Sequence, residues 1–291
     1  MPTPSPSTPN VSFEVFPPRD LAAAFRLWDT LGALAPLDPA FVSVTYGAGG
    51  QTRSLTHDAV TATGAHFGLP VAAHLTCVEA SRAETLHIAR RYRDAGVTHL
   101  VALRGDPPGG GAFEAHPDGF ASSRELTEAL ARDGFEVSVG AYPEGHPEAP
   151  ALAANVAWLR AKLEAGASRA ITQFFFEPES FFRFRDACAA QGIDAKLIPG
   201  ILPVQNWRKM RAFAAKCGAR VPDWLARGFE RAEQSGHERL YATAVATELC
   251  AELIEGGVED LHFYTLNDPS LSRDICRALG VQERPRLAEV A

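Results

Sequence analysis

The sequence predicts an α/β fold of the TIM (β/α)8 barrel type, and three observations support this prediction. Eight short runs of apolar and β-branched residues recur along the chain. Stretches rich in Ala, Leu and Arg with helical periodicity lie between these runs. Eight such strand–helix units fit a chain of 291 residues, which is a typical length for this barrel. A doubly wound open sheet is the alternative that the same alternation permits.

The apolar runs define the predicted strands. They cover residues 11–16, 41–45, 71–76, 99–103, 136–142, 169–176, 195–201 and 261–266. The helical stretch "SRAETLHIARRYRDAG" carries Ser81 as an N-cap and Glu84 three residues later, which is the pattern of a capping box. The longer interval before the last strand, which includes residues 218–236, predicts an extra helical element.

The predicted domain organisation is one short tail and one domain. The first ten residues, "MPTPSPSTPN", are rich in Pro, Ser and Thr and have no apolar run. This composition predicts a disordered tail and not a signal peptide. No composition break or linker divides residues 11–291, so we predict a single catalytic barrel domain.

Composition also limits which binding partners and which cellular compartment are expected. The net charge is −7 and no dense basic run occurs, so neither nucleic acid nor an anionic membrane is an expected partner. No apolar run reaches the roughly 18 residues of a membrane-spanning helix. Five scattered cysteines without a C-x-x-C pattern favour a reduced, cytoplasmic setting. Nine scattered histidines show no metal-ligand spacing, so no metal site is predicted.

Polar residues collect at the ends of the predicted strands. In a TIM barrel the carboxyl ends of the strands form the active site. The polar strand-end residues are Glu14, Thr45, Tyr46, His74, Thr76, Arg104, Asp106, Tyr142, His146, Gln173, Tyr264 and Asn267. We therefore predict a site at this end of the barrel.

Glu14 is a carboxylate inside the apolar strand "VSFEVFPPRD". An edge strand with this side chain in water is one explanation, because charged residues are rarely fully buried. A closed barrel has no edge strand, which favours an inward-facing side chain instead. Such a carboxyl group would be desolvated, its pKa would rise, and it would suit a general acid near neutral pH.

The other strand-end segments each have a structural and a functional interpretation. The segment "ALRGDPP" has the residue types of a turn. In the functional interpretation, Arg104 contacts an anion and Asp106 contacts a ligand ring. "TYGAGG" is either a flexible turn or a close approach to a phosphate. "AYPEGHPEAP" reads as a solvated loop in which His146 is structural or functional. Gln173 precedes a run of phenylalanines, and a buried amide there needs polar partners.

Taken together, these segments closely resemble methylenetetrahydrofolate reductases of the bacterial type. The matching stretches run in order from Ser12 to Asn267 and are "SFEVFPPR", "FVSVTYGA", "AHLTC", "ALRGDPP", "AYPEGHPEA", "GASRAITQFFFEPESFFRFRD", "IPGILPV" and "HFYTLN". The resemblance implies a TIM barrel that binds FAD. It also implies ping-pong reduction of 5,10-methylenetetrahydrofolate to 5-methyltetrahydrofolate, with NAD(P)H as the electron donor through the flavin.

The resemblance also implies roles for individual residues. Glu14 corresponds to the general acid that protonates a folate nitrogen, and Asp106 to a residue that contacts both folate and flavin. Gln173 and Phe213 correspond to substrate-binding residues, and Lys209 stands where a related bacterial enzyme has Gln. The implied FAD-binding positions are Thr45, Tyr46, Ala48, His74, Arg104, Gly105, Asp106, Ala121, Tyr142, His146, Asn155 and Lys162.

Besides Lys209, three positions depart from the family pattern, and one of them is Phe120, which replaces a usual Tyr near the flavin. Asn155 stands where the family usually has Asp, and Asp268 stands where a basic residue is common. An acid at 268 would repel the glutamate tail of folate, and Arg273 or Lys209 could take over that contact. The resemblance further implies a homo-oligomer. A flavin-free barrel lyase that uses Glu14 and Asp106, and a non-catalytic folate-binding protein, are the two alternatives.

Overall fold

Parallel β-segments form the centre of the fold in the computed structural model, which describes residues 8–46, 53–107 and 111–284. The segments within the described ranges are β1 (Asn10–Val15), β2 (Val42–Val44), β3 (Val71–Thr76), β4 (His99–Leu103), β5 (Glu136–Ala141), β6 (Arg169–Thr172), β7 (Lys196–Ile198), β8 (Gly200–Ile201) and β9 (Asp260–Tyr264). They pair in the order β7-β6-β5-β4-β3-β2-β1-β9-β8.

The sheet closes on itself at Pro199. β7 pairs with β6, β8 pairs with β9, and only Pro199 separates β7 from β8. A proline cannot donate to a sheet, but the Pro199 carbonyl still accepts from the His262 N–H at 3.0 Å. Counted as one interrupted strand, β7 and β8 complete eight strands. The predicted TIM barrel is therefore confirmed, and the open doubly wound sheet is excluded.

Helices surround the barrel. In the described ranges they are α1 (Leu21–Leu34), α2 (Arg53–Phe67), α3 (Arg82–Asp94), α4 (Ser123–Arg132), α5 (Leu152–Glu164), α6 (Pro178–Ala190), α7 (Trp207–Cys217), α8 (Asp223–Ser235), α9 (Glu238–Glu255) and α10 (Ser270–Ala278). The predicted extra element is α8. The predicted capping box is also confirmed, because Ser81 and Glu84 exchange side-chain and backbone bonds at the start of α3. None of these helices is long and apolar enough to span a bilayer.

Several predicted boundaries differ from the structure, and two of these differences have a clear physical reason. The run 169–176 leaves the sheet after Thr172, because Phe174, Phe175 and Phe176 all pack into the same core cluster. Three consecutive residues cannot face one side of a strand, whose side chains alternate. Asn10 was assigned to the N-terminal tail, but it starts β1 and pairs with Asp260. Residues 1–7 of that predicted tail lie outside the described residues.

The inner and outer faces of the barrel differ in chemistry. Outward-facing residues such as Phe13 and Phe263 pack under the helices, with ring centroids 5.8 Å apart. Polar side chains of alternate strand positions are buried within the barrel, where Ser12 Oγ lies 2.7 Å from His262 Nδ1. Similarly, His99 Nε2 lies 2.7 Å from Ser138 Oγ. These bonds offset the desolvation of the polar groups and leave the barrel interior able to carry a polar site.

Candidate active site at the carboxyl end of the barrel

Glu14 lies in β1 between Ser43 of β2 and Tyr264 of β9. Its side chain is 15% exposed, and its Oε2 lies 3.5 Å from Nε2 of His74. Burial raises the pKa of the Glu14 carboxyl group from 4.5 to about 8. The predicted inward-facing, desolvated carboxyl group is therefore present, and it carries its proton at neutral pH.

His74 does not supply a counter-charge to Glu14. Burial, together with the nearby His99, lowers the pKa of His74 to about 3. The imidazole is therefore neutral at pH 7, and an ion pair with Glu14 does not form. Nε2 of His74 and Oγ1 of Thr76 are both buried without a hydrogen-bond partner. Buried polar atoms without partners are uncommon, so their presence here is consistent with a site for a polar ligand.

The strand end that carries Glu14 is held by the loop after β9. Thr265 donates from its backbone N–H and its hydroxyl group to the Glu14 carbonyl oxygen, at 3.3 and 2.6 Å. The Asn267 side chain accepts from the Phe16 N–H at 2.7 Å and donates to the Phe16 carbonyl at 2.9 Å. These bonds fix the position of Glu14 relative to β9.

Gly200 makes room for Tyr264 beside Glu14. A Cβ at position 200 would overlap the Thr172 carbonyl oxygen and lie 2.5 Å from Cε2 of Tyr264. The Tyr264 hydroxyl group donates to that carbonyl oxygen at 2.6 Å. Burial and the nearby Glu14 raise the pKa of Tyr264 well above its usual value. Tyr264 thus stays neutral and forms a rigid wall of the site.

A cleft of about 430 Å³ opens beside the ends of β4 and β5. Five of the residues predicted to bind a cofactor line it, namely Arg104, Ala121, Tyr142, His146 and Lys162. Ala102, Leu103, Phe113 and Trp158 add apolar surface to the same cleft. An apolar cleft with a few convergent polar groups is the usual form of a cofactor site.

The polar part of the cleft carries positive charge. Lys162 is largely buried, its Nζ donates to the Gly140 carbonyl oxygen, and burial lowers its pKa to about 8. Arg104 donates to Glu148 through both of its terminal nitrogens. Burial and the neighbouring Arg104 lower the pKa of His146. Lys and Arg side chains of this kind bind phosphate oxygens through charge-assisted hydrogen bonds.

Asn155 holds the loop that bears His146. Its Oδ1 accepts from the His146 N–H at 3.1 Å, and its Nδ2 donates to the carbonyls of Ala149 and Ala151 at 2.7 and 2.8 Å. Asn155 is 3% exposed and does not line the cleft. The side-chain amide of Asn155 thus forms three hydrogen bonds, all of them with backbone groups. Both amide protons of Asn155 are donated to backbone carbonyls, so in this arrangement neither is free for the predicted contact with a cofactor.

Gly105 and Asp106 follow β4. Gly105 has a φ of +83°, and a Cβ there would lie 2.8 Å from Cγ1 of Val78, so glycine is required at this turn. Asp106 is exposed, and its charge contributes to the raised pKa values of Tyr142 and Cys217. Asp106 therefore lies near Tyr142 of the cleft and Cys217 of α7.

Gln173 and Phe213 belong to two different segments, and both contact Phe174. Oε1 of Gln173 accepts from the Phe174 N–H at 3.1 Å. Phe213 of α7 stacks on Phe174 with ring centroids 5.6 Å apart and is still 42% exposed. Lys209 lies exposed in the first turn of α7. These placements leave an amide and an aromatic face available to a planar ligand.

The positions considered for the folate tail are engaged elsewhere. Oδ1 of Asp268 accepts from the N–H and the hydroxyl group of Ser270 at 3.0 and 2.6 Å. Arg273 forms a bidentate pair with Glu283, at 2.6 and 3.1 Å. Asp268 therefore holds the start of α10, and Arg273 is not a free cation. Of the two residues suggested as substitutes, the exposed Lys209 is the one without an acidic partner among the described residues.

The remaining predicted positions lie near the end of β2. The Thr45 N–H donates to the Val15 carbonyl at 3.0 Å, which ties this strand end to β1. Tyr46 follows and is half-buried. Ala48 lies outside the described residues. Within the described part of the chain, no three His, Cys, Asp or Glu side chains are placed to hold a metal ion.

Sequence reasoning gave no individual role to several residues of this region. Glu148 and Trp158 line the cleft, and Tyr264 stands beside Glu14. Tyr264 was noted only as a strand-end residue, and Glu148 only as a part of a polar loop. Trp158 lies on α5 with 45% of its surface exposed, and an aromatic residue on the outer helix layer gave no signal of its own.

Comparison with known proteins identifies the family of this chain. The profile of the methylenetetrahydrofolate reductase family matches residues 3–280. A 5,10-methylenetetrahydrofolate reductase of Pectobacterium carotovorum subsp. carotovorum is 45% identical over 281 residues, which cover 96% of this chain and 92% of that protein. That of Escherichia coli (strain K12) is 45% identical over 275 residues, which cover 94% and 91%.

One solved structure supports the fold. It is an uncharacterized protein from Clostridium thermocellum that binds two copies of 5-methyl-5,6,7,8-tetrahydrofolic acid. Its TM-score is 0.60 at 12% identity, and the match covers 95% of this chain and 96% of that chain. At this identity the likeness concerns the fold alone. The family profile and the 45% identical relatives span nearly the whole chain, and the chain therefore belongs to the methylenetetrahydrofolate reductase family.

Proposed function

We propose that this protein reduces 5,10-methylenetetrahydrofolate to 5-methyltetrahydrofolate, with bound FAD as cofactor and NAD(P)H as electron donor. The relatives that cover nearly the whole chain carry this enzyme name. The observation that carries the proposal is the buried Glu14 carboxyl group, whose pKa of about 8 suits proton donation at neutral pH. It lies at the same end of the barrel as the cleft at Arg104 and Lys162.

The cleft residues fit FAD. Lys162, Arg104 and His146 would hold the diphosphate, because cations and a hydrogen-bonding imidazole suit phosphate oxygens. Arg124, Ser122 and Ser123 also line the cleft. Apolar surface from Leu103 and Trp158 would cover the rest of the cofactor. When bound, FAD supplies the hydride transfer from nicotinamide to folate.

Glu14 would act as the general acid. The five-membered ring of the folate must open before the methylene carbon can accept a hydride, and protonation of the departing nitrogen makes that opening possible. Burial keeps the proton on the Glu14 carboxyl group until a nitrogen base enters the site. Proton donation from a positioned group contributes about 10²–10⁴-fold to a rate.

Three other side chains would position the folate. Gln173 would bond the pterin ring through its amide, and Phe213 would stack on a planar part of the substrate. Asp106 would contact both the folate and the flavin edge from the turn after β4. Rigid placement of this kind lowers the entropic cost of reaching the reactive geometry.

Purified protein is expected to be yellow and to release FAD on denaturation. Anaerobic NADH or NADPH should bleach the flavin, and 5,10-methylenetetrahydrofolate should restore the colour. A colourless protein that stays inactive after FAD is added would favour the flavin-free lyase with Glu14 and Asp106. A protein that binds folate but leaves the flavin oxidised in NAD(P)H would favour the non-catalytic folate-binding protein.

The folate half-reaction is expected to depend on pH through Glu14. A general acid works only while it is protonated, and the Glu14 pKa is raised to about 8. The rate of flavin reoxidation by folate should thus be level below this pH and fall about tenfold per pH unit above it. Stopped-flow measurements of both half-reactions check this. A folate half-reaction that stays level well above pH 8 would assign the proton to another group.

Cytoplasmic location and homo-oligomer formation remain predictions. All five cysteines lie in the described residues as free thiols, and burial raises the pKa values of Cys77, Cys188, Cys217 and Cys276 to between about 11 and about 12. Unreactive, unpaired thiols are consistent with a reducing compartment. Light scattering of the purified protein measures its oligomeric state.

A further inference from the structure

We propose that Glu148 competes with the flavin diphosphate for the guanidinium group of Arg104, so that the cofactor must displace this carboxylate to bind. The inference rests on the proposed function, because it takes the cleft at Arg104 as the FAD site. It assigns Glu148 a role in setting cofactor affinity.

The contact between the two side chains is bidentate. Nη1 of Arg104 donates to one Glu148 oxygen, and Nη2 donates to the other at 2.9 Å. This is the same pair of donors that a phosphate group takes from an arginine. The Phe113 ring lies 5.2 Å from the guanidinium carbon and covers another side of the group. The carboxylate therefore occupies the edge of Arg104 that an anionic ligand needs.

Glu148 is the one carboxylate among the described residues that line the cleft. Lys162, another cation of the cleft, bonds to a backbone carbonyl oxygen and not to an acid. Without a ligand, the cleft thus neutralises Arg104 with its own residue. The bond to Arg104 lowers the pKa of Glu148, so this side chain is a carboxylate at neutral pH.

The position of Glu148 allows this exchange. Its side chain is 48% exposed, whereas that of Arg104 is 27% exposed, so the carboxylate can turn into solvent while Arg104 stays. The backbone beneath it is fixed, because the Glu148 N–H donates to Nδ1 of His146 at 3.2 Å. Asn155 bonds the same loop at His146 and Ala149. The loop therefore holds Glu148 close to Arg104, and rotation of the side chain is enough to release it.

The test is the flavin affinity of Glu148→Gln and Glu148→Ala in the flavin-free full-length protein. FAD no longer has to break the ion pair between Glu148 and Arg104 in these variants, which is a small gain because exposed ion pairs are weak. The variants also lose the repulsion between the Glu148 carboxylate and the phosphates of FAD. FAD should therefore bind about three- to tenfold more tightly to both variants, measured by quenching of flavin fluorescence. Riboflavin has no phosphate, and its affinity should not change. The gain should shrink as salt is added, because salt screens exposed charges.

A matched control is Glu177→Gln, which breaks a similar exposed pair with Arg220 outside the cleft. Its FAD affinity should equal that of the wild type. In an Arg104→Met background, most of the gain from Glu148→Gln should disappear.

Unchanged or weaker FAD binding by both Glu148 variants, with normal binding by the wild type, would overturn this inference alone. It would show that Glu148 orients Arg104 instead. An equal gain for riboflavin would also overturn it. If the wild type bound no flavin at all, both the proposed cofactor and this inference would fail.

Discussion

Replacement of Glu14 by Gln is expected to reduce folate-dependent reoxidation of the flavin by about 10²–10⁴-fold. Gln keeps the size and polarity of the side chain but cannot donate a proton to a folate nitrogen. Flavin reduction by NAD(P)H needs no such proton and should keep its rate within about threefold. Single-turnover measurements of the two half-reactions separate these effects.

The matched control is Glu136→Gln. Glu136 begins β5 at the opposite end of the barrel, where it pairs with Arg169. This variant loses a carboxylate from the same sheet, and both of its half-reactions should stay at wild-type rates. If Glu14→Gln slowed both half-reactions equally, or neither, Glu14 would not be the general acid.

Replacement of Phe263 by Ala is expected to lower the free energy of unfolding by about 3–5 kcal/mol. Phe263 is fully buried in β9, against Phe13 of β1. Removal of its ring leaves a cavity under the strand that joins β1 to β8 and closes the barrel. Denaturant titration of the wild type and the variant measures the difference.

Phe25→Ala is the control for that experiment. Phe25 lies on α1 and is 62% exposed, so its truncation should change stability by less than about 0.5 kcal/mol. If both substitutions lowered the free energy of unfolding equally, the packing of Phe263 on Phe13, which forms the seam between β1 and β9, would not be important for the stability of the barrel. Loss of FAD binding by Phe263→Ala at temperatures where it is still folded would show that the seam also positions the site.

The sequence by itself determined the order and the type of the elements. Apolar runs of strand length alternate with helical stretches, and the strands at 71–76 and 99–103 have the predicted bounds. These signals are local, because residue periodicity and caps such as Ser81 act within one element. The position of Glu14 also followed from the sequence, since a closed barrel turns alternate residues of every strand inward.

Packing between distant residues decided what local patterns left open. The sequence pattern predicted that Phe174, Phe175 and Phe176 continue the strand after Thr172. In the structure all three leave the sheet and pack in a core with residues of α6 and α7. Asn155 read as a cofactor ligand, but its amide is used to hold the loop at His146. Neither outcome is visible in the sequence, because each depends on which groups meet in space.

Tertiary structure also set the chemistry of the site. Burial raises the pKa of Glu14, and burial together with the nearby His99 lowers that of His74. Glu14 therefore keeps its proton, and the two side chains do not form an ion pair. The bond of Glu148 to Arg104 joins residues 44 positions apart in the chain. The sequence therefore determined which side chains stand at the strand ends. Only the closed barrel decided their charge and their partners, because desolvation and hydrogen bonding depend on the surroundings that the fold brings together.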